Sequence, residues 1–113
     1  MMNKKSIIGN KTLESLGKIL AQNTIQKYAT KDIFLLCKKA KIELRYEKWH
    51  PITLGEFDKK TNTICINLRA NIDPKQIIAH ELGHYFIHQM ELKLSRMEEE
   101  KIVEDFTKIL LSY

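Results

Sequence analysis

Two histidines four residues apart, with a glutamate beside the first, form the segment of this chain best suited to chemistry: His80-Glu81-Leu82-Gly83-His84. On a helix, residues i and i+4 stand one above the other, so both imidazoles can reach a single ion. Zinc takes nitrogen, oxygen or sulfur ligands in a tetrahedral set, and hydrolysis needs one position left to water. Glu81 then has the place of a general base, taking the proton of that water as it attacks a carbonyl. A chain of this composition would produce the pattern by chance roughly once in a hundred times. The expectation is therefore a metal site with Zn2+ as cofactor, metal ligands His80 and His84, and Glu81 as the catalytic residue. A lone histidine would more simply be a packed or solvated side chain; a pair with Glu81 between them is poorly explained that way.

Two histidine ligands need a third group. His88 continues the four-residue spacing, but at about 1.5 Å rise per residue it stands about 12 Å along the axis from His80, too far to share an ion lying between His80 and His84. A packing or hydrogen-bonding role suits His88 better, and the same holds for the lone His50 before Pro51. The carboxylates Glu98-Glu99-Glu100 open a later helix, where an acidic start also favours the helix dipole. Glu100 lies at the edge of that helix's apolar arc with Glu104 one turn on, and Glu99 lies inside the arc by angle. Periodicity alone leaves the choice between them open.

The elements that must position these groups follow from hydrophobic spacing. Leu13, Leu16, Ile19, Leu20 and Ile25 predict a helix over 12–28, with Asn10 or Thr12 as cap, and Ile33, Leu36 and Cys37 predict a second over 31–40. Phe34-Leu35-Leu36 on that second helix suits core packing rather than entry into a DNA groove. Ile42, Leu44 and Tyr46 alternate with charged residues as one face of a strand. Residues 53–57 form another, and 63–68, with Ile64, Ile66 and Leu68 inward, closes a hairpin over the polar turn 58–62. Asp73 as N-cap, Pro74 at the first position and Gln76 in a capping box open the motif helix over 73–89. Gly83, costing about 1 kcal/mol relative to Ala, predicts close approach of another backbone. Ser95-Arg96-Met97-Glu98 is a capping box for a last helix reaching Leu111 with Ile102, Val103, Phe106, Ile109 and Leu110 inward. The fold class expected is α+β: a small zincin-like domain with N-terminal helices, a small, largely antiparallel sheet, the HExxH helix and a C-terminal helix bearing the glutamate.

Composition narrows the partners. A chain of 113 residues, 43% hydrophobic and 29% charged, supports one core and one domain spanning 1–113. The net charge of +5 is spread along the chain without basic-aromatic clustering, so no direct nucleic-acid binding is predicted. Cys37 and Cys65 have no metal-ligand spacing. With no secretory signal and no apolar run of membrane length, a cytoplasmic protein without a membrane partner is expected.

The segments HELGHYFIH (80–88), ICIN (64–67) and EKIVEDFTKILL (100–111) resemble the ImmA/IrrE family of metallopeptidase-like domains, which group with the gluzincins. The resemblance covers roughly residues 31–111. The family's last helix reads Glu-x-x-Ala-Asn/Asp-x-Phe-Ala before Leu-Leu. That register places Glu100 on the metal-ligand Glu and Glu104 on the residue that supports a zinc-bound His. Val103 and Thr107 fall on the two Ala positions and Phe106 on the Phe. The resemblance implies a zinc-dependent endopeptidase of narrow specificity that cleaves a helix-turn-helix transcriptional repressor, as in mobile-element switches. The repressor segment would add as a strand beside the 63–68 edge. Tyr85, Tyr46, His50 and Tyr113 are candidates for stabilising the oxyanion. The alternative is a non-catalytic, metal-containing module that binds a partner protein. Zinc as a purely structural staple fits less well, because no fourth protein ligand is apparent.

Overall fold

The computed structural model of the chain describes residues 10–49 and 54–112. Their order is α1 (Asn10–Tyr28), α2 (Ile33–Lys39), β1 (Glu43–Glu47), β2 (Gly55–Asp58), β3 (Thr63–Asn67), α3 (Pro74–Met90) and α4 (Arg96–Leu111). This is the expected α+β succession. Thr53, His50 and Tyr113 lie outside the described residues.

The polar turn makes the hairpin. Asp58 Oδ1 accepts the Lys60 N–H at 2.9 Å. Asn62 closes the turn at φ 54, a left-handed conformation that Asn tolerates better than most residues. β2 then runs antiparallel to β3, Gly55 opposite Ile66 and Asp58 opposite Thr63. β1 lies on the other side of β3 and runs parallel to it, from Glu43 opposite Thr63 to Glu47 opposite Asn67.

The strand order β1-β3-β2 corrects two expectations. The sheet is mixed rather than largely antiparallel, since alternation reports which face is buried and not which way the neighbour runs. The 63–68 segment is also not an edge: β3 is paired on both sides, and among the described residues no strand pairs with the outer edge of β2. Alternation overstated the buried face as well. Ile64 and Ile66 are fully buried, but Leu68 and Tyr46 are nearly half exposed.

Helices cover one layer of this sheet. α2 is capped by Asp32, whose carboxylate accepts the N–H groups of Phe34 and Leu35. It buries Ile33, Leu36 and Cys37, while Phe34 and Leu35 face outward rather than into the core. On α1, Leu20, Ala21 and Thr24 are buried, but Ile19 is not. α1 packs chiefly on α4, and α4 in turn on α3. Phe106, Val103, Leu82, Ile78, Leu36, Ile64 and Ile66 form the centre where α2, α3, α4 and β3 meet. No helix among the described residues is long and apolar enough to cross a membrane.

Candidate metal centre

α3 starts where Asp73 Oδ1 accepts the Lys75 N–H at 3.0 Å and Pro74 takes the first helical position. Asp73 therefore caps as expected, but through Lys75 and without the Gln76 capping box. The helix buries Ile77, Ile78, Ala79, Leu82, Gly83, Phe86 and Ile87, a wider apolar arc than the spacing alone marked. His80, Glu81, His84 and Tyr85 are left half-buried at its border. Gly83 makes room for side chains rather than for a backbone. A methyl group there would stand 3.1 Å from both Val103 Cγ1 and Phe106 Cδ2.

α4 begins at a complete capping box. Glu98 N–H donates to Ser95 Oγ at 3.1 Å, and the Ser95 N–H donates to Glu98 Oε1 at 2.8 Å. With Ile102, Val103, Phe106 and Leu110 buried, Glu99 and Glu100 are turned toward α3.

The Nε2 atoms of His80 and His84 are 3.3 Å apart. Glu100 reaches both, with Oε1 3.4 Å from His80 Nε2 and Oε2 3.3 Å from His84 Nε2. His80, His84 and Glu100 are the group of described residues whose ligand atoms, all within 4.8 Å of one another, could hold a metal ion. Two imidazole nitrogens and one carboxylate oxygen suit a divalent cation such as zinc and leave a coordination position for water.

Glu99 points to the rear of the His84 imidazole. Its Oε2 lies 2.5 Å from His84 Nδ1 and 3.1 Å from His88 Nε2. His88 thus has a hydrogen-bonding role. Glu104 is mostly exposed, and its ion-pair partner is Lys101 at 3.9 Å. The structure does not bring it within hydrogen-bond distance of either site histidine, and its carboxylate acts on His80 only through charge. Sequence reasoning missed Glu99's contact because helical angle alone put Glu99 inside the apolar arc; its place directly after Glu98, fixed as the third helical residue by the capping box with Ser95, was the available signal.

Electrostatics separate the groups. Burial, reinforced by the neighbouring His84, holds His80 below the ordinary histidine range, which favours the neutral, ligating imidazole; Glu100 and Glu104 pull the other way. Burial pushes the Glu81 carboxyl up, with Glu100 and Glu56 adding to the shift and His84 opposing it. Glu81 faces an open cleft of ≈ 360 Å³ whose walls include Gly55, Glu56 and Phe57 of β2 together with His80, His84 and Glu100. β2 comes close because it starts at a glycine. A methyl group at Gly55 would stand 2.5 Å from Ile77 Cγ2 and 3.7 Å from Glu81 Cγ. A smaller recess of ≈ 110 Å³ beside Glu81 is walled by Leu54, Ile72 and Ile77. Among the four oxyanion candidates, Tyr85 lines the β2 cleft, its ring edge-on to Phe57 at 5.2 Å. Tyr46 lines none of the clefts around His80.

Within this α+β domain the HExxH helix and a glutamate from the next helix thus converge on one candidate metal site. The chain is similar in sequence to Metallopeptidase ImmA of Bacillus subtilis (strain 168): it is 30% identical over 86 residues, a match covering 74% of this chain and 51% of the relative. The chain thus spans about half the length of that curated relative. No protein-family model matches the chain.

Proposed function

We propose that this domain is a zinc-dependent endopeptidase of narrow specificity, with His80, His84 and Glu100 holding the ion and Glu81 acting as general base. The observation that supports this most directly is the convergence of Glu100 on both Nε2 atoms, at 3.4 and 3.3 Å, beside the cleft that Glu81 faces. The name of the relative, a metallopeptidase, favours peptide hydrolysis over other hydrolytic chemistry.

A zinc ion held there supplies a Lewis acid that polarises a carbonyl and makes water nucleophilic. Glu81 takes the proton of the attacking water and returns it to the leaving amine, a task for which a carboxyl raised by burial is suited. The substrate backbone is held by the outer edge of β2, which no strand among the described residues occupies and where an extended peptide can add as a fourth strand. This replaces the 63–68 edge, which β1 and β2 occupy on either side. Gly55 lets β2 itself lie against Ile77 and Glu81 of α3, so a strand added to β2 would run beside the site. Following the family resemblance, the protein substrate is a helix-turn-helix repressor cleaved in the cytoplasm.

The test is cleavage of purified repressors by the zinc-loaded protein, with fragments read by mass spectrometry. Glu81→Gln should keep its zinc and lose cleavage by at least about 100-fold, the scale of a lost general base. If the variant retains biological activity while cutting nothing, the domain works as a partner-binding module and the peptidase proposal fails.

A further inference from the structure

We infer that Glu99, and not Glu104, is the positioning residue for His84, and that it acts as a clamp shared with His88. The inference rests on the metal-site proposal above and adds to it the group that orients one ligand.

Three consecutive glutamates at the start of α4 have three different partners. Glu98 closes the capping box on Ser95 and so fixes the rotation of the helix start. Glu100 faces the Nε2 side of the two imidazoles. Glu99 lies between them in sequence and takes the opposite side, with Oε2 2.5 Å from His84 Nδ1 and 3.1 Å from His88 Nε2. Its side chain is only 20% exposed, against 59% for Glu104.

An imidazole that donates Nδ1–H to a carboxylate presents its lone pair at Nε2. For His84 that lone pair points to where His80 Nε2 and Glu100 Oε2 also converge. His88, one helical turn beyond His84, donates to the same Glu99 oxygen and stops the carboxylate from turning away. A shared acceptor of this kind fixes both the tautomer and the ring plane of His84 before an ion arrives. His80 has no equivalent: among the described residues, no carboxylate stands within hydrogen-bond distance of its Nδ1.

The experiment is zinc affinity by competition with a chromophoric chelator, together with ring-nitrogen NMR of the zinc-loaded full chain. Wild type should bind one zinc and show an exchange-protected His84 Nδ1–H. Glu99→Ala should weaken zinc by roughly ten- to a hundredfold and lose that protected proton. Glu99→Gln should lose less, because its amide oxygen can still accept from Nδ1–H, and Glu104→Ala should stay within about twofold of wild type on the same scale. If Glu99→Ala does not fold, Glu99→Gln and His88→Ala decide, both with an intermediate loss and a less protected proton. Unchanged affinity and an unchanged Nδ1–H in the Glu99 variants, or a larger loss in Glu104→Ala, would overturn the inference. Zinc uptake that His84→Ala leaves intact would overturn the metal site itself and this inference with it, whereas loss in His84→Ala without loss in Glu99→Ala would sink only the clamp.

Discussion

Gly17 of α1 and Asp105 of α4 approach so closely that a methyl group at residue 17 would stand 2.7 Å from Asp105 Cβ and 2.8 Å from the Ile102 carbonyl oxygen. On an open helix, Gly→Ala is favourable by about 1 kcal/mol. Here the opposing atoms are a Cβ and backbone, which cannot swing aside, and overpacking of this kind costs about 1–3 kcal/mol. Gly17→Ala should therefore lower the urea midpoint of unfolding. Gly83→Ala meets only side-chain atoms, at 3.1 Å, and should be the milder change. An increase in stability for Gly17→Ala would mean that α1 does not sit this tightly on α4.

The proposed ligand set predicts that zinc stabilises the fold, because His80 and His84 stand on α3 and Glu100 on α4. A ligand bound only by the folded state at 100 times its dissociation constant adds about 2.7 kcal/mol. Chelator treatment should thus lower the thermal midpoint of wild type but leave Glu100→Ala nearly unaffected. Equal sensitivity of the two proteins in calorimetry would detach Glu100 from the ion.

The metal-free protein should show opposite acid responses at His80 and Glu81. His80 is depressed in the folded state by burial and then by His84, so the unfolded chain takes its proton first, near pH 6.5. The stability it contributes is present above that pH and is lost as pH falls through the folded value. Glu81 is raised by burial, so its contribution is present below the unfolded glutamate value of about 4.3 and is lost as pH rises through the folded one. Glu81→Gln should accordingly be more stable than wild type at neutral pH, with the gap closing toward pH 4 in denaturant titrations run with chelator present.

The two thiols should differ sharply. Burial pushes Cys37 up to about 12, and its side chain is almost wholly enclosed. Cys65 is partly exposed on β3 and raised by burial and by Glu47. A thiol reagent at neutral pH should modify Cys65 slowly and Cys37 only when the chain unfolds. Fast labelling of both, followed by mass spectrometry, would show that α2 opens readily.

Much of this arrangement was legible in the residues, for local reasons. Asp73-Pro74 and Ser95-x-x-Glu98 mark helix starts through groups within one turn, and 58–62 marks a reversal through Asp58 and Asn62. The site pair on α3 is also local, being one turn of helix. What was not legible depends on contacts between elements. β1 carries the same alternation whether its neighbour runs with it or against it, so its parallel place beside β3 was hidden. Glu99 and Glu104 both lie near Glu100, and only the packing of α4 against α3 separates the one that meets His84 from the one that meets Lys101. Ile19, Phe34 and Leu35 are apolar at helical spacing yet exposed, because a helix on the rim of a small domain has more apolar surface than core to receive it.

The position of β3 between a sequence-adjacent partner and a distant one also orders the events of folding. β2 and β3 meet across a short turn, so their pairing closes early and at little entropic cost. Glu43 must find Thr63 across the whole intervening hairpin, and loop closure of that length is paid before any contact rewards it. β1 is thus the late-arriving strand, and in the native state it is the one whose amides should exchange first with solvent.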